Sequence, residues 1–591
     1  MNKTRLILTM IAIVVGFGFL SSLDAQVITT GSMSGVVKDR NGEPLPAANI
    51  VVLHEPSGTV YGSAARMDGK FNVPGLRVGG PYKVTASYVG YSKQTIENVY
   101  LELGQNFTVE FVLSEDALQV GEITITAERG EIISADRTGT STNIKRESIE
   151  RLPTISRRME DVTRLTPQFG RNSSFGGIDN RLNNITIDGS YFNNSFGLAG
   201  LPGDRTGVSP ISLDAVEQIQ VNISPFDVRQ GNFVGAGVNS VTKSGTNEYS
   251  GSVYYNYRNN DMVGEKAKDA VINVGTFKFN QFGLRVGGPI IENKLFFFAN
   301  FETDNLTQPG TTFLANNGGQ PIGGNVTRVL ARQLDSLSTF LGSNFNYETG
   351  PYQGYDFETP STRFLFKLDY NLDNSNKISL RYTHLDSYTD VLLSNSSSLG
   401  FGTRRSNLNG LNYQNSNYKI LEDIRSIVGE WNSIISSNLT NNLIVGYTYN
   451  DESRESMGTM FPFVDILETG SVYTSFGFEP FTPNNELRYK SYQLQNNTTW
   501  YLGNHALTFG LSVERYESEN VFFPGSQSAY VYNSLADFYK DAQGYLANPN
   551  RDTSDVQLRR FQVRWSNIPG QEKPIQPLKV LYTGLYAQDN F

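Results

Sequence analysis

The second half of the chain consists of strand-like segments whose connections alternate between short and long. Ten such segments lie between residues 251 and 591, and the short connections among them are GPIIEN, DNSN, SNLTNN and GN. A long polar connection separates each short one from the next. Because successive side chains of a strand point to opposite faces, a segment that alternates in polarity suits a sheet between two different environments.

The side-chain alternation is clearest in two of these segments. In the first segment, one face carries Phe364, Phe366, Leu368 and Tyr370, and the opposite face carries Arg363, Lys367 and Asp369. In the second segment, one face carries Leu507, Phe509, Leu511 and Val513, and the opposite face carries Thr508, Ser512 and Glu514. The segments suit transmembrane strands, which need ~9 to 11 residues. A soluble sandwich or propeller would also alternate, but it would not explain the two classes of connection. We therefore predict an antiparallel transmembrane β-barrel.

Composition agrees with this prediction and excludes other classes of protein. The 591 residues include 36 Phe and 31 Tyr, yet the mean hydropathy is −0.33, as expected when only every second side chain faces lipid. The net charge is −9, from 49 Lys and Arg against 58 Asp and Glu. No nucleic-acid partner is expected, because such a partner needs clustered Lys and Arg. The absence of cysteine excludes disulfides and thiolate metal sites.

The N-terminus is typical of an exported chain. Lys3 and Arg5 precede an apolar run over residues 6–20, and Ala25 offers a small residue for cleavage. The alternative is an uncleaved signal anchor, but the run is short for a membrane-spanning helix, which needs ~20 apolar residues. We predict a signal peptide over residues 1–25.

Residues 31–113 contain short alternating strands separated by turn residues. Asn41 and Gly42 tolerate the positive φ of a tight turn. The phrases GVVKDRNGEPLPAANIVV and DGKFNVPGL resemble the carboxypeptidase-regulatory-like domain. That resemblance implies a non-catalytic β-sandwich, sometimes classed with carbohydrate-binding folds, which we interpret as a spacer.

Residues 114–137 form a linker with one strand-like stretch, EITITA. Its residues are Glu122, Ile123, Thr124, Ile125, Thr126 and Ala127. We expect it to be extended without a sheet of its own and therefore free to pair with the sheet edge of a partner. It resembles the TonB box of TonB-dependent outer-membrane transporters. The resemblance implies that TonB, driven by its inner-membrane proton-motive complex, binds this stretch.

Residues 138–245 read as a separate α/β unit. Ile149, Leu152, Met159, Val162 and Leu165 have helical spacing, and NNITIDG and VEQIQV read as short strands. Together with SIERLPTISRRMEDVTRLTPQF and NISPFDVRQGNFVGAGVNSVTKSGTNE, they resemble the plug domain of TonB-dependent receptors, most closely the Oar-like branch. The structural residues that we assign to this plug are Arg181, Asp188, Gly189, Gly235, Gly237 and Lys243.

The stretch VGAGVNSVTKSGTNEYSGSVYYNYRNN joins the plug to the barrel. Gly235 and Gly237 allow close backbone approach, and the polar KSGTNE that follows is expected to act as a hinge. The barrel then occupies residues 246–591. The family closes its barrel with twenty-two strands and about half are present, so we expect a truncated sequence. An open half-barrel would leave unpaired edges that hydrocarbon cannot satisfy, and it should not insert alone as a functional pore.

The sequence carries no pattern that indicates catalysis. His54, His384 and His505 are the only histidines and lie in three different segments, so neither a zinc cluster nor a histidine-based triad is expected. GAGVNS lacks the third glycine of a nucleotide-binding motif. In the long loop before Pro360, Val326, Leu330, Leu334, Leu337 and Leu341 have the spacing of a small packed helix. We predict a protein that is not an enzyme and has neither cofactor nor metal.

The predicted fold class is mainly β, with an N-terminal β-sandwich, a small α/β plug and a partial antiparallel transmembrane β-barrel. The resemblance implies an outer-membrane receptor of a Gram-negative cell that takes up a siderophore, oligosaccharide or peptide with TonB. Its expected partners are TonB, outer-membrane lipid, an extracellular ligand or glycan and, as a further option, a surface lipoprotein. The alternatives are an Oar-like surface barrel in adhesion or protein export, and a secreted carbohydrate-binding protein, which would be recovered in the medium.

Overall fold

A computed structural model describes the chain over residues 28–115, 123–126, 140–154, 157–193, 202–264, 266–268, 270–271 and 275–591. The predicted signal peptide, residues 1–25, lies outside the described residues, as do Glu122 and Ala127. Within the described part, no helix has both the length and the apolar composition to cross a membrane.

The first unit is a pair of sheets packed face to face. One sheet has the order β4-β1-β7 and the other β3-β2-β5-β6-β8. The strands are β1 (Gly31–Asp39), β2 (Asn49–His54), β3 (Thr59–Ala64), β4 (Lys70–Leu76), β5 (Gly79–Ser87), β6 (Gln94–Leu101), β7 (Asn106–Leu113) and β8 (Ile123–Thr126). Alternate residues of both sheets, including Val52, Phe71, Val84 and Phe111, are fully buried between them, which gives this unit a core of its own.

The second unit is a five-stranded sheet in the order β11-β10-β13-β12-β9, flanked by two short helices. Its elements are β9 (Thr140–Lys145), α1 (Arg146–Arg151), α2 (Met159–Thr163), β10 (Asn184–Ile187), β11 (Ser190–Tyr191), β12 (Val216–Ser224) and β13 (Gly237–Thr242). The sequence predicted both strands and helical turns here. One residue of the predicted helical set, Leu165, is exposed, because α2 ends at Thr163.

The third unit is a large antiparallel sheet in which ten strands follow one another in chain order. These strands are β14 (Ser250–Asn259), β17 (Lys278–Ile291), β18 (Leu295–Pro309), β21 (Asp356–Asn371), β22 (Asn376–Val391), β23 (Tyr418–Ser436), β24 (Leu439–Asp451), β28 (Asn485–Leu502), β29 (His505–Phe522) and β32 (Gln576–Asn590). All ten predicted segments form these strands. The sheet curves around the second unit, which is the predicted plug. Strands β14 and β32 lie at the two ends of the sheet.

Side chains of this sheet alternate between lumen and exterior as predicted. In β14, Val253, Tyr255 and Tyr257 are exposed, with the intervening residues less so. In β21, Arg363 and Lys367 are buried while Phe364 is exposed. Charged residues therefore face the plug, and aromatic residues cover the surface that is predicted to meet lipid.

The long connections fold into a structure that we call the loop cap. It comprises residues 310–355, 392–417, 452–484 and 523–575. Its elements are β19 (Leu314–Asn316), β20 (Val326–Leu330), α3 (Ala331–Phe345), β25 (Arg454–Ser456), β26 (Phe463–Glu468), β27 (Ser471–Phe476), β30 (Ala529–Tyr532), α4 (Leu535–Ala547) and β31 (Arg560–Gln562); the first long connection adds the small hairpin β15 (Lys266–Ala267) and β16 (Ala270–Val271).

The predicted helix in the loop cap is only partly correct. Leu334, Leu337 and Leu341 are fully buried on one side of α3, as helical spacing requires. Val326 and Leu330, however, belong to strand β20, which pairs in parallel with β19. Backbone pairing with a neighbouring strand therefore decides the conformation of residues that local periodicity alone assigned to the helix.

Candidate functional site

The predicted turn at Asp188 and Gly189 fastens the plug to the barrel wall. Asp188 accepts hydrogen bonds from the Thr242 amide at 2.8 Å and its hydroxyl at 2.6 Å. Arg381 Nη1 lies 3.4 Å and Lys367 Nζ 3.8 Å from the same carboxylate. Burial alone would raise the pKa of Asp188, but the two cations and Thr242 hold the pKa below its usual value. Asp188 is therefore a buried anion whose counter-charges come from β21 and β22.

Gly189 lets this turn approach the wall closely. Its φ is +81°, and a Cβ atom there would lie 2.6 Å from Cδ1 of Ile444 in β24. Next to it, the Ser190 hydroxyl and the Tyr191 amide donate to Gln493 Oε1 at 3.1 and 3.0 Å. A side chain at position 189 would push the plug away from β24 and β28.

Lys243 is buried where the plug chain leaves for the barrel. Its Nζ lies 3.3 Å from Glu150 and 3.7 Å from Asp214, and burial followed by the Arg285 charge lowers the pKa of Lys243. A Cβ at Gly245 would lie 2.3 Å from the carbonyl oxygen of Phe297. The connection expected to be a hinge is thus packed tightly against β18.

The remaining predicted plug residues lie at the opposite end of β10 and β13. A Cβ at Gly235 would lie 2.3 Å from Asn183 Oδ1, and one at Gly237 would lie 2.8 Å from the Phe233 ring. Arg181 is exposed and pairs locally with Asp179 at 2.7 Å. Its hydrogen bonds lower the pKa of Asp179 to about 2. The structure therefore places Asp188, Gly189 and Lys243 at one end of the plug sheet, and Arg181, Gly235 and Gly237 at the other end.

A second attachment of the plug, which the sequence did not predict, lies toward the long loops. We call residues 203–206 the latch loop. Glu422 of β23 accepts hydrogen bonds from the Gly203 amide at 2.5 Å, the Thr206 amide at 3.3 Å and the Thr206 hydroxyl at 3.2 Å. Arg205 lies 3.3 Å from the buried Glu452 carboxylate.

A third attachment involves Glu302, which is fully buried in β18. It accepts a hydrogen bond from the plug residue Ser212 at 2.7 Å and pairs with Arg363 Nη2 at 2.9 Å. Its position could have been found from sequence, since a charged residue on the polar face of a barrel strand must point into the lumen. Which plug residue it meets could not, because the two are far apart in the chain.

The box-like stretch is extended, as predicted, but it is not without a sheet. Residues Ile123–Thr126 form β8, which pairs in parallel with β6 in the register Gln94↔Ile123 to Glu97↔Thr126. The expectation of a strand with no sheet of its own was wrong, because the edge of β6 is close enough to supply one. The opposite edge of β8 has no partner strand among the described residues. TonB binding to this stretch stays a prediction.

The three histidines lie apart, in β2, β22 and β29, and the described residues contain no cluster of His, Cys, Asp or Glu that could hold a metal ion. His54 is buried in the sandwich, where its Nδ1 lies 2.7 Å from the Ser57 hydroxyl and its ring packs on Tyr82. Burial and, next, the Arg77 charge lower the pKa of His54 to about 3.

Acid should therefore loosen the sandwich around His54. The pKa of His54 is lower in the folded protein than in the unfolded chain, where it is about 6.5. The neutral ring therefore stabilises the fold fully above that pH. As the pH falls below it, this stabilisation decreases by about 1.4 kcal/mol per pH unit. Hydrogen exchange of peptides from β2 and β5, corrected for intrinsic rates, should show about tenfold weaker protection at pH 5.5 than at pH 7.5. The variant His54→Gln should lose this pH dependence; an unchanged dependence would assign it to another group.

Comparison with known proteins gives consistent results. Residues 241–591 match the family described as outer membrane beta barrel domain, and residues 32–114 match the carboxypeptidase regulatory-like domain. The TonB-dependent transporter Oar of Myxococcus xanthus is 25% identical over 310 residues, which is 49% of this chain and 28% of that protein. The TonB-dependent receptor SusC of Bacteroides thetaiotaomicron is 27% identical over 257 residues, or 40% and 23% of the two chains.

Among solved structures, the outer membrane transporter YddB from Escherichia coli superposes with a TM-score of 0.50 at 12% identity, covering 76% of this chain and 54% of that one. At that identity the likeness shows the fold alone. The matched regions span about a quarter of the two sequence relatives, which are a transporter and a receptor rather than enzymes. The chain belongs to the outer membrane beta barrel domain family, is homologous to TonB-dependent transporters and resides in the outer membrane.

Proposed function

We propose that the protein is a TonB-dependent receptor that imports a scarce ligand across the outer membrane with energy from the inner membrane. The observation that carries this proposal is a folded plug held inside the barrel by separate polar attachments at its two ends. The Asp188 turn is held by Lys367 and Arg381, and the latch loop is held by Glu422.

Such attachments favour a plug that can be rearranged. Hydrogen bonds and ion pairs to a polar wall can be exchanged for bonds to water, whereas a continuous apolar interface would resist hydration. Much of the wall is polar, and the buried residues that face the plug include Gln281, Asn300, Glu302, Arg363, Arg381, Gln493 and Gln495. Apolar contacts are also present, since Phe298, Leu365, Leu385 and Ile424 pack into the plug core.

The latch loop supports a role for ligand in starting the rearrangement. It lies on the long-loop side of the plug, below the loop cap, and Glu422 accepts three of its hydrogen bonds. A ligand that binds the plug there drives a change only if it binds one plug state more tightly than the other. Siderophores, oligosaccharides and peptides are the ligand classes that we carry forward.

The proposal is tested by the variant Ile125→Pro, in the complete gene and in the native host. Proline removes a backbone donor and should prevent pairing of β8 with TonB. Accumulation and surface binding are measured with labelled ferric siderophores, oligosaccharides and dipeptides. We expect accumulation of one probe to collapse to the level of a TonB-deficient strain while its surface binding is retained.

The variant Ile125→Val is the matched control, because it keeps both the backbone donor and the β-branched side chain. It should accumulate the probe as the natural protein does. If Ile125→Pro and the natural chain behave alike with every probe, uptake through this stretch is ruled out and the surface barrel for adhesion or export takes its place.

A further inference from the structure

The sandwich lies across the end of the barrel that carries the short turns. Thr59 Oγ1 accepts a hydrogen bond from Asn371 Nδ2, at the end of β21, at 2.9 Å. Arg66 donates to the carbonyl oxygen of Gly503, in the turn between β28 and β29, at 3.4 Å. Near the turn between β23 and β24, Gly75 approaches Asn432 closely. One face of the sandwich thus contacts three separate hairpins.

The same face also contacts the plug. The Leu103 amide donates to Gln218 Oε1 at 3.1 Å, and Gln220 Nε2 donates to the Leu103 carbonyl oxygen at 2.8 Å. Leu103 packs with Ile28 and Val241 in a small buried apolar cluster. A strand of the plug sheet and the sandwich therefore share both hydrogen bonds and a core, so the plug cannot shift at this end without disturbing the sandwich.

Charged groups are buried where the three units meet. Arg77 of the sandwich lies 3.7 Å from Asp369 of β21, and both side chains are largely buried. The Arg77 guanidinium also lies over the Phe296 ring of β18 at 5.4 Å. Nearby, the Thr29 hydroxyl donates to Glu430 at 2.6 Å. If the sandwich undocked, these charged groups would be hydrated again. Because hydration offsets part of the lost ion pairs, the docked arrangement can be stable and still reversible.

A cavity of about 210 Å³ lies between the sandwich, the plug and the barrel. His54 of the sandwich, Glu217 of the plug and Lys367 of the barrel all line it. Thr242 and Lys367, which both contact the Asp188 carboxylate, also line it, so it adjoins the end of the plug at which a path opened by plug movement would leave the lumen. The sandwich stands across that path.

Strand β8 connects this sandwich to the proposed TonB contact. It is the edge strand of the sheet β3-β2-β5-β6-β8, and its pairing with β6 leaves its outer edge without a partner strand among the described residues. TonB can add a strand to that outer edge without breaking the pairing to β6. A force on β8 would then act on the sandwich before it acts on the plug.

We propose that the carboxypeptidase-regulatory-like sandwich is a periplasmic lid, which closes the barrel at rest and is lifted through β8 when the receptor is energised. This inference rests on the proposed function, since it takes the energy from TonB. It differs from a spacer role in one respect: a spacer would keep its place during transport, whereas the lid must leave the short turns.

The test uses disulfides introduced into the product of the complete gene; the 591 residues of this chain contain no cysteine. In Gly75→Cys/Asn432→Cys the new Cβ at position 75 would lie 3.3 Å from the Cβ of residue 432, close to disulfide spacing. Because Gly75 has a φ of +69°, which strains a cysteine, Thr59→Cys/Asn371→Cys serves as a second pair. We expect at least one of the two pairs to cross-link under mild oxidation in cells treated with a protonophore, and to do so several-fold less in energised cells.

The matched control is Val89→Cys/Asn432→Cys, because Val89 is 94% exposed and lies beyond the far end of β5; it should not cross-link. Failure of both interface pairs to cross-link would overturn the docked lid. Equal cross-linking with and without the proton gradient would overturn its movement.

Uptake measured on the same variants separates the lid from the transporter proposal. If the reduced form imports a siderophore, oligosaccharide or dipeptide probe and the oxidised form does not, the lid is supported. If both forms import it equally, the lid is wrong and the transporter stands. If neither form nor the natural chain imports any probe while cross-linking still responds to the gradient, the transporter proposal fails and the moving sandwich stands.

Discussion

Replacing Asp465 by alanine is expected to open the loop cap, lowering its free energy of unfolding by about 3 to 5 kcal/mol. Asp465 and Arg404 are both completely buried, and Arg404 Nε lies 3.2 Å from Asp465 Oδ1. The same carboxylate accepts hydrogen bonds from the Phe401 amide at 2.7 Å and the Ser475 hydroxyl at 2.6 Å. The variant would leave a buried guanidinium with no counter-charge, which is the costly way to break an ion pair.

The measurement is hydrogen exchange of peptides from β26 and β27, together with protease cleavage of the cap on intact cells. Protection of both strands should fall by at least about a hundredfold, since each 1.4 kcal/mol changes an equilibrium tenfold. The control is Glu468→Ala in the same cap, because Glu468 is half-exposed and lies 4.0 Å from Arg328. That exposed pair should contribute less than about 1 kcal/mol. Equal effects of the two variants would show that the Arg404 pair does not hold the cap.

Replacing Asp188 by alanine is expected to release the plug from the barrel wall at the short-turn end, again at a cost of about 3 to 5 kcal/mol. The variant removes the acceptor for both Thr242 bonds and leaves Lys367 and Arg381 buried without their anion. Urea-dependent hydrogen exchange of peptides from β10 and β13 should show the plug opening well before the barrel strands do.

Two further variants make this prediction specific. Asp179→Ala removes the same residue type from the same domain, but its partner Arg181 is exposed, so the change should cost far less stability than Asp188→Ala. Adding Arg381→Met and Lys367→Met to Asp188→Ala should recover part of the lost stability, because no unpaired charge then remains buried. If Asp188→Ala costs no more than Asp179→Ala, the anchor must lie elsewhere, at the latch loop or at Glu302.

Several features were predictable because they depend on short-range properties of the chain. The ten barrel strands and their lumen faces followed from alternation of polarity, which is a local consequence of strand geometry. The turn at Asp188 and Gly189 followed from residues that tolerate positive φ; the structure shows φ values of 44° and 81° there. The helix at residues 331–345 begins later in the chain than predicted. The residues before it have helical spacing but form β20, because they pair with β19.

Other features depended on contacts between distant parts of the chain. The connection expected to be a hinge is packed because Gly245 meets Phe297, and the box-like strand is paired because β6 offers an edge. The loop cap is the largest such feature. Its central pair, Arg404 and Asp465, comes from two different long connections, each of which reads as polar loop when taken alone.

By itself the sequence determined the ten barrel strands, which of their faces are polar, and where short and long connections alternate. Only the tertiary structure decided which polar groups meet. Asp188 pairs with Arg381, and hydrogen bonds join Thr206 to Glu422 and Thr59 to Asn371. The physical reason is the distance along the chain over which each interaction acts. Alternation of polarity depends on neighbouring residues within one strand. Each of these pairs, in contrast, forms only when the plug and the sandwich pack against the curved sheet.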